Sequence, residues 1–411
     1  MIWPTRRLKY LSRTIDRRAG SDQPPLLAVS IHKGVIPRES LTDDLPRAED
    51  LSNYKICEPG DIILNRMRAF QGAIGVSPIR GLVSPDYLVL QPSPHVNAQY
   101  LHHLFRSSWF IGEMASRLRG IGGTDNGAVR TPRINPEDLG NIEIPTPSLD
   151  EQRWIANFLD VETIYIDRLA AIRDRQLHLL NDRSTAFISE VLPTSGDCQF
   201  IRLGYLATIQ SGITVDGSRT LSDDAVTRPY IRVANVQAGR LELNSITEIS
   251  VSEKMAAAST LRFGDVLMTE GGDLDKLGRG TVWRDEIPEC LHQNHIFAVR
   301  PGASLDSDYL ALLTRSIYAR NYFESTGTKT TNLASTSSGK IRDFRIPLVS
   351  LATQKRIVKE TSRTLDRIDS LTNLLIKQKQ LLTERRQALI TGAVTGQIDV
   401  TTAGRGSEGL A

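Results

Sequence analysis

The sequence has only three cysteines, and they lie far apart, at Cys57, Cys198 and Cys290. This spacing fits neither a disulfide framework nor a Cys-x-x-Cys site. The sequence also has no run of about 18 apolar residues, so we expect no membrane-spanning segment. The basic N-terminus lacks the apolar stretch of a secretory signal. These absences favour a protein of a reducing, cytoplasmic setting.

Strong net charge is missing as well, because 50 Lys and Arg against 47 Asp and Glu give +3 over 411 residues. This balance excludes a polycation that coats nucleic acid, so any contact with DNA must come from local patches. The hydrophobic share of 40% is enough for sizeable cores and excludes global disorder. At roughly 150 residues per domain, the length predicts two or three domains.

The familiar motifs of catalysis are absent. Residues 338–341 (Ser-Gly-Lys-Ile) lack the upstream glycine of a phosphate-binding loop, and the glycine-rich stretch 120–127 predicts an exposed loop. Cys290, His292 and His295 could supply three metal ligands, but no fourth ligand follows at a recognisable spacing. Polar residues at a sheet edge are the better interpretation. We therefore predict a binding protein with no catalytic residue, no metal and no cofactor.

The sequence contains an internal repeat, which determines the architecture. Residues 142–192 align with residues 344–394 without a gap, at an offset of 202 positions. Identical pairs include Ile144/Ile346, Pro145/Pro347, Leu149/Leu351, Gln152/Gln354, Ile155/Ile357, Ile166/Ile368, Asp167/Asp369, Leu169/Leu371, Gln176/Gln378, Leu180/Leu382, Arg183/Arg385 and Ile188/Ile390. Upstream, residues 58–64 resemble 262–268, and residues 87–92 resemble 296–301. A duplication is the economical explanation.

Each repeated segment begins with an X-Pro element and continues for about 40 residues as a predicted helix, roughly 60 Å long. A 3-4 spacing of seam residues predicts a coiled coil. The seam residues are Ile166, Leu169, Arg173, Gln176, Leu180, Arg183 and Phe187, and Ile368, Leu371, Leu375, Gln378, Leu382, Arg385 and Leu389. Residues 150–190 carry net −3, and residues 353–391 carry net +5. Opposite charges favour pairing of the two helices with each other, although solvated helix faces remain the alternative.

The regions outside these helices combine short β-branched strands with a helical stretch near 98–118 and another near 307–323. We therefore predict an α+β fold with two globular domains, separated by two long helices that form an antiparallel coiled coil with a pseudo-two-fold internal repeat. The predicted segments are residues 1–144, 145–195, 196–345 and 346–397, with a flexible tail at 398–411.

The duplicated Ile-Pro-x-x-x-Leu-x-x-Gln-x-x-Ile segment resembles the specificity (S) subunit of type I restriction–modification systems. The segments 65–75, 83–87, 229–240 and 384–396 are also similar to this family. The resemblance implies that residues 1–144 and 196–345 are target recognition domains, each for one half of an asymmetric, bipartite double-stranded DNA site. It implies that the helices are a spacer that docks two methyltransferase (M) subunits, with restriction (R) subunits joining through the complex. A rigid spacer favours half-sites about 10 base pairs apart.

Arg, Lys, Asn, Gln, Ser and Thr in loops are the side chains that contact bases and phosphates. In the first domain the predicted DNA-binding residues are Asn65, Arg66, Arg68, Gln71, Thr124, Asn126, Arg130 and Arg133. In the second domain they are Lys276, Arg279, Lys329, Thr330, Asn332, Ser337, Ser338 and Lys340, with Glu270 at a matching place. The predicted partner-docking residues are Glu151, Gln152 and Gln354.

Two features leave alternatives open. The basic start, with Arg6, Arg7, Lys9, Arg13, Arg17 and Arg18, could contact phosphate or form an exposed helix face. The second helix start has Val349 and Thr353 where the first has Pro147 and Glu151, which predicts a looser start. Two rival functions also stay open: a complete methyltransferase or nuclease with unrecognised motifs, and a purely structural coiled-coil adaptor.

Overall fold

The computed structural model describes residues 3–31, 34–41, 50–118, 133–193, 198–214, 225–237, 239–272, 277–329 and 334–400. The chain divides into two compact units, and the division passes through both long helices. Unit 1 comprises residues 1–173 and 376–411, and unit 2 comprises residues 174–375. The domain boundaries at 144/145, 195/196, 345/346 and 397/398 stay a prediction.

Unit 1 places short strands before a group of helices. Its elements are β1 (Thr5–Arg7), β2 (Ser12–Ile15), β3 (Leu27–Ser30), β4 (Gly34–Pro37), β5 (Lys55–Cys57), β6 (Ile62–Leu64), β7 (Ile74–Val76), β8 (Gly81–Val83), β9 (Leu88–Pro92), α1 (Ala98–Arg106), α2 (Ser108–Ala115), α3 (Pro136–Gly140), β10 (Glu143–Pro145) and the first part of α4 (Leu149–Val191). The strands β2, β9, β6 and β7 form an antiparallel sheet in that order.

Unit 2 follows the same plan with more strands. Its elements are β11 (Gln199–Arg202), β12 (Ala207–Ser211), β13 (Ala225–Ile231), β14 (Val236–Gln237), β15 (Arg240–Leu241), β16 (Thr247–Ser252), α5 (Glu253–Ser259), β17 (Val266–Thr269), β18 (Gly271–Gly272), β19 (Gly280–Val282), β20 (Leu291–His292), β21 (Ile296–Pro301), α6 (Ser307–Thr314), α7 (Ile317–Thr326), β22 (Thr328–Lys329), β23 (Ala334–Ser335), α8 (Ser338–Asp343), β24 (Arg345–Leu348) and the first part of α9 (Leu351–Val394). The sheet β12-β21-β17-β19 corresponds to β2-β9-β6-β7. The α+β fold class and the internal repeat are confirmed.

A repeated glycine–aspartate turn leads into the central strand of each four-stranded sheet. Gly60 and Gly264 have φ of +89° and +87°, a left-handed backbone that favours glycine. The following Asp61 carboxylate accepts the Glu58 N–H at 2.9 Å, and Asp265 accepts the Arg262 N–H at 2.9 Å. This is the physical reason for the similarity that the sequence shows between residues 58–64 and 262–268.

A serine divides each predicted helical stretch into two helices. The Ser107 hydroxyl accepts the Phe110 N–H at 3.2 Å, and the Ser316 hydroxyl accepts the Ala319 N–H at 3.2 Å. A side-chain acceptor at this position satisfies a free N–H of the first turn and starts a new helix. The stretches 98–118 and 307–323 are therefore helix pairs, α1–α2 and α6–α7.

The two long helices run antiparallel. In unit 1, Ile155 near the start of α4 shares a core with Ile390 near the end of α9. In unit 2, Ile188 near the end of α4 shares a core with Ile357 and Leu365 near the start of α9. The predicted antiparallel pairing of α4 with α9 is confirmed.

Opposite charges link the two helices in unit 1, as the difference in net charge predicts. The Arg386 guanidinium lies 3.0 Å from the Asp167 carboxylate, and that of Arg385 lies 4.0 Å from Glu162. All four side chains are at least partly exposed, so each pair contributes about 0–1 kcal/mol. These pairs therefore add little to the stability, although they match the predicted charge difference.

The buried face of each long helix differs from the predicted seam. Leu371 is 51% exposed, and Arg183 and Arg385 are also exposed. The predicted seam residues Ile166 and Ile368 are buried. Four further equivalent positions outside the seam are buried at the start of both helices: Gln152, Ile155, Leu159 and Thr163, and Gln354, Ile357, Thr361 and Leu365. The seam prediction is wrong for these exposed positions, because both ends of each long helix turn their buried face toward the core of a globular unit as well as toward the partner helix.

The basic N-terminal segment is not an α-helix: it consists of β1, a short 3-10 helix (Leu8–Tyr10) and β2. Its first residues form β1, which pairs with β10 so that Arg6 lies opposite Ile144. The helix interpretation is therefore wrong, because the X-Pro segment before α4 provides a strand partner. Arg17 donates to Asp61 at 3.1 Å, and a phosphate contact by the exposed Arg6 stays a prediction. Across the described ranges, no helix is both long enough and apolar enough to cross a membrane.

Candidate nucleic-acid interface

The first predicted DNA-binding group lies in the turn between β6 and β7. Asn65 is 9% exposed, and its side chain accepts the Met67 N–H at 3.1 Å and donates to the Tyr87 hydroxyl at 3.3 Å. The amide therefore shapes the turn, and a DNA contact by this side chain stays a prediction. Arg68 and Gln71 follow on the same turn, and both side chains are exposed.

Two predicted segments that are distant in sequence meet at this turn. The Ile134 N–H donates to the Arg66 carbonyl at 3.3 Å, and the Arg66 guanidinium donates back to the Ile134 carbonyl at 3.3 Å. The exposed Arg133 guanidinium lies 3.9 Å from the Met67 sulfur. Unit 1 therefore gathers Arg66, Arg68 and Arg133 at one place. Thr124, Asn126 and Arg130 lie outside the described residues.

Unit 2 repeats this connection with opposite charge. The Thr336 N–H donates to the Glu270 carbonyl at 2.7 Å, as Ile134 does to Arg66 in unit 1. The Glu270 carboxylate lies 2.6 Å from Nδ1 of His295, and both residues are at least partly exposed. An acidic residue thus takes the place of a basic one at equivalent backbone positions. A comparison of the two repeats at this position is the signal that would have found the Glu270–His295 pair.

The other predicted residues of unit 2 divide between exposed and structural positions. Arg279 is partly buried, and its carbonyl accepts the Thr269 N–H at 3.2 Å. Lys340 donates from Nζ to the Thr328 hydroxyl at 3.0 Å. Ser337 caps α8 by accepting the Lys340 N–H at 3.3 Å, and Ser338 accepts from Arg342 at 3.2 Å. Both serines therefore have a local structural role.

Four predicted DNA-binding residues of unit 2 have side chains outside the described part of the structure. Lys276, Thr330 and Asn332 lie outside the described residues. Lys329 belongs to β22, which pairs with β23, but its side chain is outside the described set. In the strand order β18-β23-β22, β23 lies between β22 and β18, the strand that begins directly after Glu270.

The predicted docking glutamines have internal roles. Gln152 and Gln354 have 0% exposure. Gln152 accepts the Asn97 N–H at 2.8 Å, and Gln354 accepts the Asp306 N–H at 2.8 Å. Both side chains therefore have a structural role in the described chain, and their predicted docking role stays a prediction. Each ties a long helix to the start of α1 or α6.

Glu151 is part of a helix cap. Its carboxylate accepts the Ser148 N–H at 2.8 Å and the Ser148 hydroxyl at 2.7 Å, while the Glu151 N–H donates to that hydroxyl at 3.3 Å. This reciprocal arrangement is a capping box. The hydrogen bonds from Ser148 hold the pKa of Glu151 below its usual value. Its predicted contact with a partner stays a prediction.

The second helix start uses a hydroxyl in place of that carboxylate. The Thr353 N–H donates to the Ser350 hydroxyl at 3.2 Å, and the two hydroxyls lie 2.9 Å apart. Helix α9 begins at Leu351, the position equivalent to Leu149 of α4. Helix α9 therefore starts at the equivalent position although Thr353 replaces Glu151. It lacks the favourable interaction of a carboxylate with the helix N-terminus.

The three candidate metal ligands of the sequence, Cys290, His292 and His295, have different surroundings. Burial raises the pKa of Cys290 to about 12 and lowers the pKa of His292 to about 4. His292 bonds through Nδ1 to the Ile296 carbonyl at 3.0 Å, and His295 is occupied by Glu270. Within the ranges described, His, Cys, Asp and Glu form no group of three that could hold a metal ion.

Two curated proteins are similar to the chain. The specificity subunit of the type I restriction enzyme StySPI from Salmonella potsdam is 28% identical over 211 residues, which cover 50% of this chain and 44% of that protein. The specificity subunit of EcoKI from Escherichia coli strain K12 is 23% identical over 328 residues, covering 75% of this chain and 68% of that protein. The chain thus spans under half the length of the first relative. No protein-family model matches it.

One solved structure has a fold similar to that of the chain. A chain from a study of assembly and conformational transition in a type I restriction–modification system matches 97% of this chain and 98% of its own length. The TM-score is 0.65 at 18% sequence identity. The resemblance to type I specificity subunits is confirmed.

A repeated hydrogen bond joins each unit to the end of a long helix. In unit 1 the Ser108 N–H donates to the Thr391 hydroxyl of α9 at 3.2 Å. In unit 2 the Ile317 N–H donates to the Ser189 hydroxyl of α4 at 2.9 Å. Positions 189 and 391 are equivalent in the repeat, at the offset of 202. Each unit therefore uses the start of one long helix and the end of the other.

Proposed function

We propose that the chain is the DNA-recognition subunit of a type I restriction–modification complex. Its two target recognition domains, residues 1–144 and 196–345, each contact one half of an asymmetric, bipartite DNA site. The observation that carries this proposal is one α+β plan used twice, with unlike side chains at equivalent positions, as at Arg66 and Glu270. Two domains of one origin but different surface chemistry suit two different half-sites.

The exposed side chains fit direct contact with bases. Arg donates two hydrogen bonds to guanine, whereas Glu accepts from the amino group of cytosine, and each good contact discriminates by about 1–3 kcal/mol. Arg66, Arg68 and Arg133 favour guanine or phosphate in the first half-site. Glu270, positioned by His295, favours cytosine in the second half-site. Lys340 and Arg279 supply positive charge for the phosphates around it.

In this proposal the antiparallel helices set the distance between the half-sites and dock two methyltransferase subunits, with restriction subunits joining through the complex. The partner subunits supply the methyl donor, the ATP-driven steps and cleavage. The chain itself supplies no catalytic residue and binds no cofactor. The complex acts on DNA in the cytoplasm of a prokaryotic cell, in keeping with the bacterial origin of both curated relatives.

Reconstitution separates this function from its rivals. The purified chain, with DNA, S-adenosylmethionine and Mg²⁺, is expected neither to methylate nor to cleave, and adding methyltransferase subunits is expected to give methylation at a bipartite site. Activity of the chain alone would favour a complete enzyme. Absence of a gel shift with methyltransferase subunits present would favour a structural adaptor. Methylation-aware sequencing of the host genome then identifies the two half-sites.

A further inference from the structure

The first part of α4 carries an exposed apolar face. Trp154, Val161, Ile164 and Tyr165 are 55%, 68%, 52% and 56% exposed. Steps of seven and four residues place Trp154, Val161 and Tyr165 on one side of the helix, bordered by Ile164. The opposite side, with Ile155, is in the core of unit 1. Several large apolar side chains exposed together mark an interaction surface.

The equivalent face of α9 has different chemistry. At the offset of 202, the same four positions hold Arg356, Arg363, Asp366 and Arg367, and all four are exposed. Residues 355–367 contain five Lys or Arg and two Asp or Glu, a net charge of +3. The aligned residues 153–165 contain one Arg and two Asp or Glu, a net charge of −1.

Farther along, the two helices keep the same chemistry on this side. Ile172 and Leu179 of α4 are 51% and 57% exposed, and Leu374 and Leu381 of α9 are both 52% exposed. These pairs are also 202 positions apart. One kind of partner can therefore recognise the shared apolar positions on either helix. Nearer the start of each helix, this partner would contact the apolar residues from Trp154 to Tyr165 on α4 and the basic residues from Arg356 to Arg367 on α9.

We propose that two copies of one methyltransferase subunit dock on these equivalent helix sides with unequal strength and unequal salt dependence. This inference rests on the proposed function, which supplies a partner present twice. One copy covers the apolar face at Trp154, Val161 and Tyr165. The other places acidic side chains against Arg356, Arg363 and Arg367.

The two contacts respond differently to ionic strength. Burial of apolar surface contributes about 25 cal/mol per Å², and Trp and Tyr are frequent hot spots of interfaces. Salt does not screen this contribution. Attraction between exposed charges, in contrast, is reduced as the screening length falls from about 10 Å at 0.1 M to about 3 Å at 1 M. The copy on α4 therefore stays bound at salt concentrations that release the copy on α9.

Sedimentation velocity of the full-length chain with excess methyltransferase subunit tests the proposal. At low salt, about 0.05 M, we expect two methyltransferase subunits per chain, and at high salt, about 0.5 M, we expect one. The double variant Trp154→Ser/Tyr165→Ser is expected to bind one copy at low salt and none at high salt. The double variant Arg363→Glu/Arg367→Glu is expected to bind one copy at both.

Matched controls lie elsewhere on the surface. Phe263 is 65% exposed, and Lys254 is an exposed residue of α5. Phe263→Ser and Lys254→Glu are expected to bind as the unaltered chain does. Far-UV circular dichroism of each variant reports whether the helices are retained.

The outcomes separate the inference from the function on which it rests. Simultaneous loss of both copies as salt rises, or equal weakening of both copies by each double variant, would overturn the unequal faces but leave docking intact. Absence of any methyltransferase binding to the unaltered chain would contradict the docking part of the proposed function, and this inference with it.

Discussion

The Gln152 side chain accepts the backbone N–H of Asn97 at 2.8 Å, and Gln354 repeats this bond with Asp306 at the same distance. Asn97 and Asp306 are the N-cap residues of α1 and α6. Each glutamine also donates to a backbone carbonyl before its own helix, that of Pro147 or Val349. The start of each long helix is therefore fixed to one unit through buried amides whose nitrogen and oxygen both bond to backbone groups.

A second repeated bond supports the same junction and allows a matched test. The Tyr100 hydroxyl donates to the Pro145 carbonyl at 2.9 Å, and the Tyr309 hydroxyl donates to the Pro347 carbonyl at 2.9 Å. We expect Tyr100→Phe and Tyr309→Phe each to lower the free energy of unfolding by about 1–3 kcal/mol, because a carbonyl at the junction loses the hydroxyl that donates to it. Urea unfolding measures the loss. Tyr10→Phe, at a 69% exposed position, is the control. A cost equal to that of the control would contradict a role for these bonds.

The helix caps predict a stabilising substitution. Thr353→Glu gives α9 the capping box that Glu151 provides for α4, and we expect about 0.5–1 kcal/mol of stabilisation. The reciprocal change, Glu151→Thr, is expected to destabilise by a similar amount. The pKa of Glu151 is lowered in the folded chain, so its contribution is complete above the ordinary pKa and disappears as the pH falls through the lowered value. Thermal unfolding at neutral and acidic pH measures both effects. Destabilisation by Thr353→Glu at both pH values would contradict this account.

Acid should destabilise unit 2 through His292. Burial lowers the pKa of His292 to about 4 from the ordinary 6.5, so between these values the unfolded chain binds a proton that the folded chain does not. The contribution of His292 to the free energy of unfolding is therefore fully present above about pH 6.5. It decreases by up to about 3 kcal/mol as the pH falls toward 4. Unfolding midpoints of His292→Gln are expected to fall less between pH 7 and pH 5 than those of the unaltered chain. Equal slopes for both proteins would show that His292 does not titrate in this window.

The DNA contacts predict changes confined to one half-site. We expect Arg66→Gln and Arg68→Gln to weaken binding of the complete complex or relax discrimination at the first half-site, at about 1–3 kcal/mol per base contact. Glu270→Gln is expected to alter the second half-site only. Gel shifts with duplexes changed in one half at a time measure both effects, with Lys254→Glu as the control. Equal loss on duplexes altered in either half would indicate phosphate contact without sequence discrimination.

The repeat, the α+β class and the antiparallel helices are predictable from the sequence because the patterns behind them are local or duplicated. The buried faces of the helices are harder to predict from the sequence. Leu371 fits the heptad seam but is 51% exposed, because the helices pack against the globular units as well as against each other. The bonds of Gln152 and Gln354 to backbone groups of α1 and α6 are likewise not encoded in residue type, which predicts only partner docking. The meeting of Arg66 with Ile134 depends on tertiary folding, which spacing does not encode.

Insertion of seven residues into both long helices tests the central claim most directly. Two helical turns placed after Arg173 and after Leu375 lengthen the antiparallel pair by about 10 Å, close to three base pairs, and keep the heptad register. Methylation-aware sequencing of cells that carry this variant with its methyltransferase subunit is expected to show both half-sites unchanged and the gap between them longer by about three base pairs. An unchanged gap, with both half-sites still methylated, would contradict the helices as the element that sets the distance.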